Sequence, residues 1–184
     1  ENIPFTLSWC AEVPDEEKVA LLFQANAAEI GIDVEIFKKP FGSMIDDAQT
    51  VETTPNGSII YVAAHYNEAG SMLETRYHSK SQGTWEQCEW LGMPNIDAAI
   101  EDALATVDQE ERFQKYAQIQ ETLVDLAPTI WLADQANEWA YQEYIVWPIV
   151  EKVKAGEKVA PVMGYSHYIH DWKVFPEKRA EYLK

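Results

Sequence analysis

Positive charge is what this chain most lacks. Its 14 Lys and Arg face 31 Asp and Glu, giving a formal net charge of -17 at pH 7. Such a surface repels phosphate backbones and anionic bilayers, which argues against nucleic-acid binding and membrane adsorption. No apolar run approaches the roughly 20 residues that span a bilayer. Cysteine is scarce: only Cys10 and Cys88 occur, as a disulfide pair or as two separate buried thiols. Of the four histidines, His167 and His170 stand three apart, but no HExxH or carboxylate–histidine pattern surrounds them, so no metal site is expected. There is no glycine-rich phosphate loop, no GxSxG elbow, no internal repeat and no low-complexity segment, and no cofactor is implied. Acids are so numerous that no pair stands out as a catalytic dyad, and the chain is not read as an enzyme.

What remains is enough for one domain with a real core. The 184 residues are 47% hydrophobic and 24% charged, the balance of a globular chain. Phe5 to Trp9 reads as a strand. Pro14 begins a helix with an acidic first turn, Asp15, Glu16 and Glu17, which suits the positive end of a helix dipole. Val19, Leu22, Phe23 and Ala27 are its expected apolar face, with Gly31 as the C-cap. Val34 to Phe37 is the next strand. Strand, helix, strand implies parallel strands joined by a right-handed crossover, and hence an α/β fold. Phe41 to Gln49 is a candidate short helix. Ser58 to Ala64 (SIIYVAA) is a third strand, dense in β-branched residues and so expected at the centre of the sheet. Asn56-Gly57 reads as a turn, although Asn56-Gly57-Ser58 also has the form of a glycosylation sequon.

The most informative stretch runs from Asn95 to Leu132. Ile100, Ala103, Leu104 and Val107 recur at helical spacing. Asp108 closes that helix and opens the next, and Glu111, three residues on, completes an Asp version of the capping box. Phe113, Tyr116, Ala117, Gln120, Leu123 and Val124 are the expected buried stripe of the second helix. Pro128 ends it, and Thr129 to Leu132 reads as a short apolar strand.

This order resembles the C-terminal lobe of the family 5 extracellular solute-binding proteins, the oligopeptide and dipeptide binders of ABC importers. The family pattern is matched by Ala103, Thr106, Asp108, Arg112, Tyr116, Gln120, Ala127 and Pro128. The segment LLFQANAAEIGIDVEI resembles the family's helix, Gly-Ile, strand unit. The resemblance covers nearly the whole chain and implies one lobe of a two-lobed periplasmic-binding-protein-like fold, a mixed sheet flanked by helices. Residues 1–164 would form the ligand-binding lobe, and 165–184 would return towards a missing N-terminal lobe. The chain begins at Glu1 without Met, as expected of a processed or excised piece.

The same resemblance implies a ligand trapped between two lobes by hinge closure and delivered to a membrane permease. The parent would be periplasmic or extracellular and tethered to the membrane. In α/β sheets the site lies beyond the carboxyl ends of strands, here after Ala64, where His65, Tyr66, Asn67 and Glu68 follow. The family's peptide binders carry an Asp at this turn that pairs with the peptide's α-ammonium group. His65 occupies the matching position, and an imidazole cannot serve as that counter-ion. Glu68 is the alternative carboxylate, and a peptide with a free amino terminus becomes a less favoured ligand. Trp85 and Trp90 offer flat faces for sugars, purines or aromatic side chains, or else pack their loop onto the domain. Arg76 would clamp a carboxylate or phosphate, or else pair with Glu74 or another acid. The expected function is capture of a small polar solute, a peptide, oligosaccharide or similar. The alternatives are a stand-alone acidic protein-interaction domain and a carboxylate-dependent hydrolase.

Overall fold

Alternation along the first strand sets the architecture. In β1 (Ile3–Cys10), Phe5, Leu7 and Trp9 point one way and pack with Ala20, Phe23 and Ala27 of α1 (Asp15–Glu29) and Val34 and Ile36 of β2 (Ile32–Lys39). Thr6 and Ser8 point the other way: the Thr6 amide donates to Asn56 Oδ1 at 2.9 Å, and the Ser8 and Ser58 hydroxyls meet at 3.1 Å. The computed structural model describes residues 2–66, 68–134, 140–157 and 169–182. Two compact units divide the chain: 1–64 with 68–130, and 65–67 with 131–184.

In the first unit β1 pairs in parallel with β2 over its whole length and with β3 (Gly57–Ile59) at Leu7 to Trp9, giving the order β2-β1-β3. The parallel β1–α1–β2 unit is the one expected. The third strand differs from expectation. It is three residues long rather than reaching Ala64, and it lies at the edge while β1 is central. β-Branched composition marks strand tendency, but ladder formation needs a neighbour, and beyond Ile59 the described residues offer none.

Helix α1 also rolls from its expected face. Glu16, Ala20 and Ala27 are buried, while Leu22 is 66% exposed. Its end is as expected: Gly31 takes φ +82°, and its amide donates to Ala28 O at 3.2 Å. Helix α2 (Phe41–Asp47) follows β2 directly.

A second core of this unit lies among α3 (Gly70–Tyr77), α4 (Pro94–Ala105) and α5 (Gln109–Leu126), around Leu73, Tyr77, Ile96, Ile100, Ala103, Tyr116, Ile119 and Leu123. Helix α3 falls where the sequence reads as loop. Asp108 caps α5 as expected, its Oδ1 accepting the Glu111 amide at 2.9 Å. The box is half formed, since the Glu111 carboxylate turns instead to Lys115 at 3.1 Å.

The buried stripe of α5 is Tyr116, Ile119 and Leu123. Ile119 replaces Phe113, Ala117, Gln120 and Val124, all of which are exposed. Tyr116 fixes this phase, because its hydroxyl must reach an acid described below. Val107, expected in the core, is 93% exposed because α4 stops at Ala105. Ala127 takes φ +51° and ends α5 before Pro128. No strand forms at Thr129 to Leu132, where Ile130, Trp131 and Leu132 are exposed.

The second unit contains a small antiparallel pair, β4 (Ile145–Val146) with β5 (Lys173–Val174), and two short helices, α6 (Pro148–Lys154) and α7 (Pro176–Tyr182). Trp147 is buried and its ring lies 5.5 Å from that of Trp172. The expected lobe boundary at residue 164 and His167 fall outside the described residues. Among the described residues no helix is long and apolar enough to cross a membrane.

Candidate functional site

Glu68 is the centre of a polar cluster built from three elements. It stands just before α3, where its Oε2 accepts the Gly70 amide at 2.6 Å. The same oxygen accepts the Tyr116 hydroxyl at 2.8 Å, and Oε1 accepts Arg112 Nε at 3.2 Å. Arg112 and Tyr116 lie one turn apart on α5, four residues after the cap Asp108 and eight after it, so one helix face presents both to one carboxylate. Arg112 Nη1 also donates to the Thr106 and Val107 carbonyls at 3.0 and 3.1 Å, placing a cation at the negative end of α4. The sequence signal for this cluster was the four-residue spacing of Asp108, Arg112 and Tyr116. The identity of the carboxylate it serves was not readable.

Arg76 points inward. It is 5% exposed, donates to the Glu86 carbonyl and pairs with Glu89 rather than Glu74. The Thr129 hydroxyl donates to the same Glu89 oxygen at 2.7 Å. Glu74 pairs instead with Lys80. Beside this pair Gln87 is fully buried and donates to the Leu91 carbonyl at 2.8 Å. Arg76 and Glu89 thus tie the 82–91 loop to α3, which is how an aromatic-rich loop with little regular structure keeps one shape.

The two tryptophans of that loop are half-buried. Trp85 meets Phe41 edge-on with ring centroids 5.2 Å apart. The Trp90 indole donates to Thr54 Oγ1 at 2.9 Å, and its backbone takes φ +52°. His65 and Tyr66 are exposed and belong to the second unit, whereas Glu68, Arg76, Trp85 and Trp90 belong to the first. Asn67 lies outside the described residues.

Behind α3, His78 is buried. It accepts the Lys80 amide on Nδ1 at 3.1 Å, so Nε2 carries the proton and donates to Glu101 at 3.1 Å. Ser79 bonds Asp97 through its amide at 2.8 Å and its hydroxyl at 2.5 Å. This serine spends its hydroxyl on the carboxylate and does not meet a histidine base, so it is a clamp on α4 and not a nucleophile.

The cysteines are free thiols. Cys10 Sγ donates to Glu12 Oε2 at 3.1 Å, and Cys88 Sγ donates to the Trp85 carbonyl at 3.1 Å. Burial, with the Glu89 carboxylate adding to it, pushes the Cys88 thiol up to about 11. It is therefore not an activated nucleophile at neutral pH. Glu16, whose carboxyl group meets the carboxyl end of β1, is raised by burial although it accepts the Cys10 amide at 2.7 Å. A concavity of about 610 Å³ opens between α1 and the β1–β2 pair, lined by Phe5, Trp9, Glu17, Leu21 and Gln24 among others. None of the candidate residues lines it. Among the described residues no group of three or more His, Cys, Asp or Glu side chains is placed to hold a metal ion.

The parallel sheet with its flanking helices is the fold of a periplasmic-binding-protein lobe. The structure superposes on NikZ from Campylobacter jejuni, solved with Ni(L-His), with a TM-score of 0.67 and 17% identity, over 93% of this chain and 33% of that one. It superposes on the ABC transporter-associated periplasmic binding protein DppA from Helicobacter pylori, solved with the peptide STSA, with a TM-score of 0.59 and 22% identity, over 69% of this chain and 24% of that one. In sequence, 107 residues are 33% identical to a Brucella melitensis protein named as an inferred binding protein, over 55% of this chain and 16% of the relative. The match thus spans about a sixth of that relative's length. No protein-family model matches the chain.

Proposed function

We propose that this chain is one lobe of an extracellular solute-binding protein of an ABC importer. Residues 1–164 supply one wall of the ligand cleft, and 165–184 return to the other lobe. The observation that carries the reading is the fold match: most of this chain superposes on about a quarter of a periplasmic binding protein solved with a peptide and on a third of NikZ, solved with Ni(L-His). A domain that accounts for that fraction of such a protein supplies part of a site. In this reading a small polar solute, a peptide, oligosaccharide or similar, bridges two lobes and stabilises the closed state, which the permease recognises. Export to the periplasmic or extracellular side, with a membrane tether on the parent, belongs to the same proposal.

Ligand contacts are proposed at two places, each taken by itself. One is the segment His65, Tyr66 and Asn67. The other is the exposed ring surface of Trp85 and Trp90, whose remaining surface packs on Phe41 and bonds Thr54. Glu68 and Arg76, candidates by position, already spend their charges on Arg112 and Glu89, so they support the site and do not face solute.

Tryptophan-fluorescence titration of this chain and of the two-lobed parent, with di- to pentapeptides and with oligosaccharides, tests the reading. The parent should saturate with one of these. The single lobe should bind at millimolar concentration or not at all, because it desolvates a ligand from one side only. Tight binding by this chain alone, or no saturable solute for the parent, would overturn the proposal. Binding by the parent that survives Trp85→Ala with Trp90→Ala would remove the aromatic contacts and leave the importer reading standing.

A further inference from the structure

Asn56-Gly57 stands where the chain enters β3, and the packing there constrains both residues. Asn56 Oδ1 accepts the Thr6 amide and the Thr6 hydroxyl, each at 2.9 Å, while the Asn56 amide donates to Thr6 Oγ1 at 3.0 Å. A main-chain amide can only donate, so the oxygen of the Asn56 side chain, and not its NH2 group, faces β1. The three bonds close a reciprocal clasp between the entry to β3 and the middle of β1. Gly57 is held from the other face of the sheet. A Cβ there would lie 3.0 Å from Phe5 Cε1 and Cζ and 3.1 Å from Leu7 Cδ1, so a larger residue could enter only if these core side chains gave way.

The fold thus uses a chemically labile pair. Asparagine is thermolabile, and a following glycine leaves its own amide nitrogen unshielded. That nitrogen, once deprotonated by hydroxide, attacks Asn56 Cγ. The new N–Cγ bond closes a succinimide, the Cγ–Nδ2 bond breaks, and ammonia leaves with a proton from solvent. Water then adds to one of the two ring carbonyls and opens the ring to aspartate or isoaspartate. Asn56 is exposed, so water and hydroxide reach it. What opposes the reaction is the clasp: Cγ must swing towards Gly57 N, and its oxygen is tied to Thr6 on the neighbouring strand.

We propose that Asn56 is a deamidation site held closed by Thr6, and that its isoaspartyl product cannot re-form the clasp. An isoaspartyl link adds an atom to the main chain directly before Gly57, where the pairing with Leu7 begins. The three-residue β3 then loses its register on β1. Aspartate keeps both the chain length and the acceptor, so it leaves β3 in place.

Deamidation at Asn56 is timed by peptide mass spectrometry on the whole folded chain in mildly alkaline buffer. It should be slower by about tenfold or more than in the urea-unfolded chain, because reaction requires local opening. Thr6→Val keeps the branched shape but removes two of the three bonds, and should speed the reaction; Thr6→Ser should return the wild-type rate. Ser8→Ala, which removes the Ser8–Ser58 hydroxyl contact from the same strand pair, should leave the rate unchanged. Equal rates in folded and unfolded chain would overturn the proposal, as would Ser8→Ala matching Thr6→Val. If Thr6→Val fails to fold, wild type in urea below its transition decides. Deamidation should then rise in step with hydrogen exchange at the Asn56 amide, and a rise only at global unfolding would overturn the clasp. Purified isoaspartyl chain should exchange faster than wild type at Gly57–Ile59, and Asn56→Asp should not. Equal exchange in the isoaspartyl chain and wild type would overturn the loss of β3. No solute enters these measurements, so they leave the importer reading to its own titration.

Discussion

Tyr116 donates its hydroxyl to Glu68 at 2.8 Å across 48 positions of sequence. The bond fixes the rotation of α5. With Tyr116 turned to the acid, Ile119 and Leu123 follow into the core, and Phe113 and Val124 are left at the surface. A polar contact thus selects between two apolar stripes of nearly equal merit on one helix.

Gly70→Ala should damage this contact most directly. The added methyl group meets the Tyr116 hydroxyl, Leu104 and Glu68 at once. Overpacking of this kind costs about 1–3 kcal/mol. Urea melts of the variant should show a lower midpoint, and an unchanged midpoint would mean that the cradle can open.

Asp108→Ala removes the side-chain acceptor for the Glu111 amide. Loss of an N-cap costs about 1 kcal/mol. The half-formed capping box makes this cap depend on Asp108 alone, so Glu111→Gln should cost much less. Denaturant midpoints of the two variants decide whether the junction works as described.

Ile100 and Val107 are both apolar residues of the α4 region, and the structure separates them. Ile100 is fully buried, whereas Val107 is 93% exposed. Ile100→Ala should cost about 2–5 kcal/mol, and Val107→Ala should stay within about 0.5 kcal/mol. Comparable losses in thermal melts would show that Val107 packs.

Glu16→Gln should stabilise the chain at neutral pH. Burial raises the folded-state Glu16 carboxyl above its ordinary value, so its favourable contribution is complete below the unfolded value and is lost as pH rises through the folded one. Gln keeps an acceptor for the Cys10 amide without the buried charge. The gain over wild type should therefore be present at pH 7 and shrink as pH falls below the ordinary carboxylate range. A gain independent of pH would assign the effect to something other than ionisation.

Cys88 should react slowly with thiol reagents at neutral pH and faster as pH approaches the value of about 11 to which burial raises its thiol. Mass spectrometry after timed alkylation of folded protein reads this directly. Recovery of a Cys10–Cys88 disulfide from non-reduced protein would contradict the free thiols.

The local signals in the sequence carried far. The acidic first turn of α1, Gly31, the Asp108 cap and the stop before Pro128 all depend on near neighbours in the chain, and each lies where the sequence places it. The parallel β1–α1–β2 unit follows from the same local grammar, since a helix between two strands leaves little choice of direction. Strand position was another matter. SIIYVAA has the composition of a central strand, yet pairing depends on what lies beside it, and only Gly57–Ile59 finds a partner in β1. TIWL fails in the same way.

The site was less legible for a related reason. Among 31 acids, composition cannot show which one will sit within reach of Arg112 and Tyr116, or that Arg76 will turn inward to Glu89. Those pairings join residues 13 to 48 positions apart, and they are set by how α3 packs on α4 and α5. Sequence by itself determined where α1 and α5 start and stop and which residues had chemistry to offer. Tertiary packing decided which of those residues were buried and paired, because burial and hydrogen-bond geometry belong to the neighbours that folding brings together and not to the neighbours along the chain.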